Sequence, residues 1–298
     1  MQSNAWTAVV LSAIGVEYMA ARAFLTQVET LVHPAGTVYE TGRFAAGDVE
    51  WTVVLAETGT GNNIAAIETS RALDAFRPSV AMFIGVAGGV KDVEVGDVVA
   101  ADYVYGYESS KVTETFQPRI KTFGCGYPLV QRARAIRRSD RWHERIRSGE
   151  KPQGYVGPIA SGEQVIAGSN TQTHALLQDH CGDTLAVEME GWGFLFAAHT
   201  NGDVPAIVIR GISDLTEDKD PDRDRARQPI AANHAAAFAF ELLASIEAPA
   251  TQRIKPARPW RPNDAGHGRM ESPFGSIPPG QRRRLDAVQD GPTGEPAR

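Results

Sequence analysis

Cysteine is scarce in this chain, which contains only Cys125 and Cys181 among its 298 residues. Two cysteines are too few for a disulfide framework or a zinc cluster. The seven histidines are scattered and lack the spacing of metal ligands, so no metal site is predicted. No cofactor is expected either, and the reduced cytoplasm is the expected location.

Long apolar runs are also missing. The apolar stretch over residues 5–14 is short, and no basic segment precedes it as in an export signal. Such a stretch is typical of a first β-strand. The sequence therefore predicts no membrane-spanning segment and no membrane partner.

Positive charge is scarce in the first 247 residues and concentrated after them. Residues 248–298 hold nine of the 18 prolines and nine of the 30 lysines and arginines, with few large apolar side chains. Such a segment cannot offset its ordering entropy by burial, so it is predicted to be a disordered tail or linker. The preceding domain, 1–247, carries a net charge of −10, which argues against nucleic acid as its principal ligand.

Within that domain, apolar segments rich in β-forming residues alternate with helical patterns. This alternation is typical of an α/β domain with a mostly parallel, twisted sheet and helices on both faces. The predicted strands are 8–13, 51–56, 80–86, 98–105, 156–160, 185–187 and 206–209, and the predicted helices are 16–24, 62–76, 171–178 and 230–246.

Two late strands run into acidic clusters. Val187-Glu188-Met189-Glu190-Gly191 includes the end of one strand, and Arg210-Gly211-Ile212-Ser213-Asp214 follows the next. Ligands of open α/β sheets bind at the carboxyl ends of the strands, so these side chains are candidates for a site. A salt bridge with Arg210 is the preferred interpretation of Glu188, because neighbouring carboxylates need a cation. Helix capping is the alternative for Glu190 and Asp214.

Two earlier strands also end in candidate residues. Glu17 lies in the first turn of the first helix, where free amides favour an ionised carboxylate, and simple capping of that helix is the alternative. At Gly88, within Gly85-Val86-Ala87-Gly88-Gly89, a ligand could approach the backbone closely, with a tight turn as the alternative. Gly59-Thr60-Gly61 lacks the lysine and the spacing of a phosphate-binding P-loop.

Taken together, the order and spacing of these motifs resemble the purine nucleoside phosphorylase and 5'-methylthioadenosine/S-adenosylhomocysteine nucleosidase superfamily. The resemblance covers about residues 6–247 and includes Val95-Gly96-Asp97-Val98-Val99 and Ser161-Gly162. Its specific part is Val-Glu-Met-Glu followed by Arg-x-Ile-Ser-Asp. The resemblance implies a single three-layer α/β/α domain with a mixed central sheet.

The resemblance also implies roles in cleaving the bond between a ribose and a purine. Asp214 would be the general acid that protonates the five-membered ring of the base, and Ser213 would help to orient it. Glu190 would accept hydrogen bonds from the ribose 2' and 3' hydroxyls, with Met189 packed against the sugar. Backbone groups around Val165 would bind the edge of the base.

The nucleophile distinguishes a hydrolase from a phosphorylase. Cleavage passes through an oxocarbenium-like state, so the nucleophile must approach the sugar face opposite the departing base. A phosphate would need arginines, whereas Glu17 would repel a phosphate and would instead position and deprotonate a water. A hydrolase acting on an adenine nucleoside is therefore predicted, and a phosphate-dependent phosphorylase is the less favoured alternative.

Two positions depart from the nucleosidase pattern. Val165 stands where these enzymes tend to have an aromatic residue that stacks on adenine, and Val86 stands where serine is usual. The segment 216–227 is highly charged where a small thioether pocket would ordinarily be completed. Its basic residues could hold a 5'-phosphate, although a solvated loop of alternating charge is the preferred interpretation. These basic residues are Lys219, Arg223, Arg225 and Arg227.

That charged segment keeps a second enzymatic hypothesis open, a nucleosidase of AMP or ATP in bacterial signalling or defence. A third hypothesis is a noncatalytic nucleotide-sensing module, against which the presence of Glu17, Glu190 and Asp214 argues. In each case the expected ligand is a small-molecule purine nucleoside or nucleotide. The resemblance also implies a homodimer or a higher homo-oligomer, because active sites of this family are often completed by a neighbouring subunit.

Overall fold

The computed structural model describes residues 6–47, 49–112, 114, 116–166, 168, 171–202, 204–216 and 221–246. The tail predicted at 248–298 lies outside these ranges. Over the described part of the chain, no helix combines the length and the apolar character needed to cross a membrane.

Strands and helices alternate along much of the described chain, as the sequence predicts, but the strands within 26–57 and those within 80–124 follow one another without a helix between them. The strands are β1 (Trp6–Ser12), β2 (Thr26–Val32), β3 (Val38–Ala46), β4 (Val49–Glu57), β5 (Val80–Gly89), β6 (Val98–Gly106), β7 (Ser110–Val112), β8 (Phe116–Pro118), β9 (Lys121–Gly124), β10 (Gly154–Ser161), β11 (Ala186–Glu188) and β12 (Ala206–Leu215). The α-helices are α1 (Gly15–Arg22), α2 (Asn62–Phe76), α3 (Tyr127–Ile136), α4 (Gln172–His180), α5 (Gly191–Thr200) and α6 (Pro221–Ala244), and a 3-10 helix spans Asp140–Arg145.

The main sheet is mixed, which confirms the predicted fold class. Its strand order is β11-β10-β6-β12-β5-β1-β4-β3-β2, and β9 pairs with β6. The pairs β1–β4, β1–β5, β5–β12, β6–β10 and β10–β11 are parallel. The hairpin of β2 and β3, and the pairs β3–β4, β6–β9 and β6–β12, are antiparallel.

Five of these strands close into a ring. β11 pairs in parallel with β10 on one side and antiparallel with β5 on the other. Since β5, β12, β6 and β10 are consecutive neighbours, the β11–β5 pairing joins the two ends of this half of the sheet. The ring places Val187 of β11 and Asp214 of β12 on either side of Gly88 of β5.

Two hydrophobic cores cover the two faces of the sheet and give the predicted three layers. Successive residues of each strand point to opposite faces, so Val10 packs in one core while Val9 and Leu11 pack in the other. The first core contains buried residues of α1, α3 and α6, and the second contains those of α2 and α5. The three-layer α/β/α architecture is therefore confirmed.

Several boundaries differ from the sequence prediction. β5 continues through the glycines that were expected to form a turn, and β12 continues to Leu215 instead of ending at Ile209. Both extensions follow from pairing, because Asp214 is opposite Gly88 and Leu215 is opposite Gly89. Helix α6 begins at Pro221 rather than at residue 230 and contains Pro229, a residue type that usually interrupts a helix.

Candidate active site

All eight residues predicted for the site line a single cavity of about 220 Å³. The cavity lies where β1, β5 and β12 end and where β11 leads into α5. The predicted residues are Glu17, Gly88, Val165, Glu188, Met189, Glu190, Ser213 and Asp214. The structure thus brings together side chains that are up to 197 positions apart in the sequence.

Glu17 is held by backbone amides at the start of α1. Its carboxylate accepts hydrogen bonds from the amides of Ala13 at 2.8 Å, Ile14 at 3.1 Å and Val86 at 2.8 Å. The bond from Ile14, the residue that precedes α1, caps the helix, so the capping interpretation is correct as far as it goes. The amide of Val86 belongs to β5, so its hydrogen bond ties the Glu17 carboxylate to that strand.

Burial changes the acidity of Glu17. The residue is only 3% exposed, and this desolvation raises the pKa of its carboxyl above the usual range. The Arg210 guanidinium and the three amides oppose the rise because they stabilise the ionised form. Since a carboxylate with a raised pKa is a stronger base, this environment suits a group that must accept a proton near neutral pH.

Arg210 is the cation of the site; it is fully buried and is paired with carboxylates that line the cavity. Its guanidinium forms ion pairs with Glu188, with Glu190 at 3.0 Å and with Glu17 at 3.9 Å, and its Cζ lies 4.9 Å from the centre of the Phe83 ring. The predicted salt bridge between Glu188 and Arg210 is confirmed. We call Glu17, Glu188, Glu190 and Arg210 the carboxylate cluster.

The carboxylate cluster fits only because position 85 is glycine. A Cβ atom built on Gly85 would lie 2.5 Å from a carboxylate oxygen of Glu17 and would also collide with the Arg210 guanidinium. No side chain can therefore be added at this position unless Glu17 or Arg210 moves. The glycine of β5 is required by the close approach of the ion pair rather than by a turn.

The carboxylate of Glu188 is bound by other groups of the protein. Besides Arg210, it accepts hydrogen bonds from the amide of Glu190 at 3.0 Å and from that of Gly191 at 2.8 Å, at the start of α5. Its side chain is almost inaccessible to solvent although it lines the cavity wall. This geometry favours a structural role for Glu188, in which it holds Glu190 and Arg210 in place.

Glu190 precedes α5 at the N-cap position, but its side chain makes no capping hydrogen bond. The interpretation of Glu190 as a helix cap is therefore wrong. Its carboxylate accepts instead from the amide of Gly61 at 3.0 Å and from Arg210. Burial, assisted by the nearby Glu188 carboxylate and opposed by Arg210, raises the pKa of Glu190 to about 7.

Asp214 lies inside β12, opposite Gly88, so the interpretation of this residue as a helix cap is also wrong. Its Oδ1 lies 3.4 Å from the Oγ of Ser213, which can also donate to the Ala87 carbonyl at 3.5 Å. Both side chains are buried. Gly88 is close to this side chain, since a Cβ built on Gly88 would lie in van der Waals contact, 3.4 Å from Oδ1 of Asp214.

The remaining wall of the cavity is more open. Val165 is 65% exposed and lies between Gln164 and Ile166, which also line the cavity; we call these three residues the 164–166 loop. Met189 is half-buried and lies between Glu188, the last residue of β11, and Glu190, which precedes α5. The apolar surface of this wall suits the flat face of a ligand.

Sequence reasoning missed several lining residues. Thr60 and Gln164 belong to segments that were noticed for other reasons, whereas Asp224 and Gln228 come from the part of α6 that was not predicted as helix. The i, i+4 spacing of Asp224 and Gln228 would have placed both on one face of a helix. Gly61 belongs to the Gly59-Thr60-Gly61 segment, which lacks the pattern of a P-loop, yet its amide donates a hydrogen bond to Glu190.

Of the basic residues of the charged segment that the structure describes, none lines the candidate site. Positions 217–220, including Lys219, are outside the described residues. Arg225 points to solvent and lies 3.8 Å from Asp222, and Arg227 lines a separate cavity with Glu150 and His234. Among the described lining residues of the candidate site there is no lysine or arginine. In the described part of the chain, no group of three or more His, Cys, Asp or Glu side chains could hold a metal ion.

This arrangement defines an α/β protein with an enzyme-like site for a small polar ligand, in which several carboxyl groups line one cavity at the carboxyl edge of the sheet. The chain belongs to the phosphorylase superfamily, whose family model matches residues 7–246. The resemblance found in the sequence motifs is thereby confirmed.

Relatives of known name agree in their description. A 5'-methylthioadenosine/S-adenosylhomocysteine nucleosidase of Listeria welshimeri is 28% identical over 227 residues, which make up 73% of this chain and 92% of the relative. A protein of the same name from Actinobacillus succinogenes is 30% identical over 200 residues, 65% of this chain and 82% of the relative.

Solved structures share the fold. The S-adenosylhomocysteine nucleosidase of Streptococcus pyogenes, in complex with 5-methylthiotubericidin, matches with a TM-score of 0.69 at 24% identity, over 83% of this chain and 100% of that one. The corresponding nucleosidase of S. pneumoniae, with a transition-state inhibitor, matches with a TM-score of 0.66 at 25% identity, over 81% and 100% of the two chains.

Proposed function

We propose that this protein hydrolyses the N-glycosidic bond of an uncharged adenine nucleoside and thereby releases adenine. The observation that carries the proposal is that Glu17, in the first turn of α1, and Asp214, in β12, are both buried and line one cavity, which the Glu190 carboxylate also lines. The predicted class, a purine nucleosidase, is the class that the relatives' names state, and the prediction of an N-glycosidase is confirmed at that level.

The proposed reaction uses the two acidic residues in opposite senses. Glu17 accepts a proton from a water as the water oxygen attacks the anomeric carbon of the ribose. The electrons of the breaking glycosidic bond move to the purine, and Asp214 donates a proton to the five-membered ring of the departing base. Glu190 accepts hydrogen bonds from the ribose 2' and 3' hydroxyls, while Ser213 orients Asp214.

The charge of the cavity supports water rather than phosphate as the nucleophile. Five carboxyl groups line the cavity among the described residues, and Arg210 is already paired with three of them. A phosphate dianion would be repelled by this wall, at the nucleophile position and equally as a 5' substituent. A neutral nucleoside such as methylthioadenosine fits better than AMP or ATP.

The remaining contacts of the substrate are assigned by position. We propose that Met189 packs against the sugar, that the base approaches the backbone of Gly88 and that backbone groups of the 164–166 loop bind the edge of the base. Glu188 supports the site through Arg210 and the start of α5. No cofactor or metal takes part in this proposal.

We further propose that the protein is cytoplasmic and self-associates. The two cysteines are not joined to each other, which suits a reducing compartment. Phe196 is 42% exposed and stacks on Trp192 with ring centres 5.4 Å apart, an aromatic surface suited to a contact with a second copy. Light scattering on the wild type and on Phe196→Glu tests this, since a wild-type monomer would refute it.

The main test is base release measured by chromatography on purified full-length protein. Methylthioadenosine, adenosylhomocysteine, adenosine, inosine, AMP and ATP are each incubated with and without phosphate. Phosphate-independent release of adenine from an uncharged nucleoside is expected, and Asp214→Asn and Glu17→Gln are each expected to lower kcat by about 100- to 10,000-fold.

Each other outcome of this panel points to a different function. Release that requires phosphate would identify a phosphorylase and refute the role of Glu17. Preference for AMP or ATP would identify a nucleotide nucleosidase, with the phosphate bound by residues of the charged segment. No release from any substrate, together with measurable nucleotide binding, would support the noncatalytic sensing module.

A further inference from the structure

A hydrogen-bonded cluster at the start of α2 connects the carboxylate cluster with the 164–166 loop. The amide of Gly61 donates to Glu190 at 3.0 Å, and the next amide, that of Asn62, donates to Glu163 at 3.0 Å. The first amides of a helix have no partner within the helix and attract carboxylates. Two successive amides at the start of one helix therefore bind Glu190, which lines the cavity, and Glu163, which precedes the 164–166 loop.

The side chain of Asn62 ties three further segments to the same point. Its Nδ2 donates to the Gly162 carbonyl at 3.2 Å, and its Oδ1 accepts from the Ser161 hydroxyl at 2.9 Å and from the Gly193 amide at 2.8 Å. Ser161 and Gly162 lead into the 164–166 loop, and Gly193 lies in the first turn of α5, just after Glu190.

The chemistry of this cluster requires an amide. Asn62 is 8% exposed, so its donor and its acceptor must both find partners within the protein. A carboxylate in its place could not donate to the Gly162 carbonyl and would add a charge close to Glu163. An apolar residue would leave the Gly162 carbonyl and the Gly193 amide without their partner, and the Ser161 hydroxyl would lose the acceptor to which it donates.

We infer that Asn62 is a positioning residue for the reaction, which sets the distance between the carboxylate cluster and the 164–166 loop. The inference rests on the proposed function, in which Glu190 binds the ribose and the loop binds the base. Asn62 does not line the cavity, so it acts through these groups. A nucleoside must satisfy both sides at once, and a misplacement of about 1 Å costs about 100-fold in rate.

The first experiment compares Asn62→Ala with Asn63→Ala in the full-length protein. Asn63 is the next residue of the same helix turn, and its side chain is exposed, which makes it a matched control. Steady-state kinetics on methylthioadenosine give kcat and KM, and calorimetry gives the Kd of adenine alone. Thermal unfolding of both variants checks that they are folded.

We expect Asn62→Ala to lower kcat/KM by about 30- to 100-fold, mainly through kcat, and Asn63→Ala to change it less than about twofold. Adenine alone can move with the loop, whereas a nucleoside spans both sides of the cavity. The Kd of adenine should therefore change less than about threefold in Asn62→Ala. Equal losses for adenine and for the nucleoside, or equal kcat/KM in the two variants, would refute the inference.

A second variant covers the case in which Asn62→Ala does not fold. Glu163 is exposed, so Glu163→Gln keeps the packing while it weakens the bond to the Asn62 amide. A loss of about 3- to 10-fold in kcat with an unchanged adenine Kd is expected, and unchanged kcat would refute the inference. If the wild type releases no base, the proposed function fails, and the coupling is then measured as the difference in affinity between adenine and a carbon-linked nucleoside analogue.

Discussion

The two sides of the cavity are constructed differently. In the carboxylate cluster, Glu17, Glu190 and Arg210 are between 0% and 4% exposed, and the carboxylate oxygens are bound by backbone amides or by the guanidinium. On the opposite side, Val165 is 65% exposed on a short loop. In the proposed reaction, the buried network would fix Glu17 and Glu190, whereas the base would contact an exposed loop.

The largest expected effect comes from removing the cation of the carboxylate cluster. Arg210→Met leaves Glu17, Glu188 and Glu190 buried without their cation, which should cost about 3–5 kcal/mol in the free energy of unfolding. Urea denaturation measures this loss. Arg225→Met removes a cation that points to solvent and should change stability by less than about 0.5 kcal/mol. Equal stability of the two variants would show that the cluster does not depend on its cation.

A smaller effect is expected in the pH dependence of stability. Burial raises the pKa of Glu190 from its ordinary value of 4.5 to about 7, so the folded state binds this proton more tightly than the unfolded state. Its contribution to stability is therefore fully present below pH 4.5 and is lost as the pH rises through 7. In the wild type this group lowers the free energy of unfolding between pH 5 and pH 8, and Glu190→Gln should make that decrease smaller by about 1–3 kcal/mol.

Urea denaturation at these two pH values compares the wild type with Glu190→Gln. Glu29→Gln removes a carboxyl group from the exposed strand β2 and serves as the control. The same decline in all three proteins would show that Glu190 does not titrate in this range.

The smallest effect is expected in the 164–166 loop. Val165→Phe supplies an aromatic face next to the cavity and should lower KM for an adenine nucleoside about fivefold, which corresponds to about 1 kcal/mol of stacking, with little change in kcat. Steady-state kinetics measure this change, and Val165→Leu controls for added apolar area. An effect on kcat that exceeds the effect on KM would contradict the separation of the two sides.

The sequence predicts the content of the site better than the fold around it. All eight residues predicted for the site line the cavity. Strand ends and the polar residues beside them can be recognised locally, and the order of the family motifs indicates that they belong to one site. Strand β2 was missed because it is exposed along most of its length and lacks the alternation of a half-buried strand. The pairing of β11 with β5 is a contact between distant segments, and no local pattern encodes it.

Prediction from sequence also failed where polar residues belong to regular structure. Ser213 and Asp214 suggested the end of a strand, but both are buried within β12, where Ser213 lies at a bulge and Asp214 is opposite Gly88. Likewise, Asp222 and Asp224 suggested a loop although they lie in the first turn of α6, where acidic residues are favourable. The helix was predicted to start only after Pro229, which it in fact contains.

Closure of the strand ring limits the insertions and deletions that β11 can tolerate. β11 has only three residues, and it is bonded on both sides, to β10 and to β5. Insertion or deletion of one residue in β11 would turn Glu188 to the opposite face of the sheet. Because β11 is hydrogen-bonded to a strand on each side, a shift in its register would have to break both pairings. We expect natural variants of this chain to differ in residue identity along β11 but to keep its length.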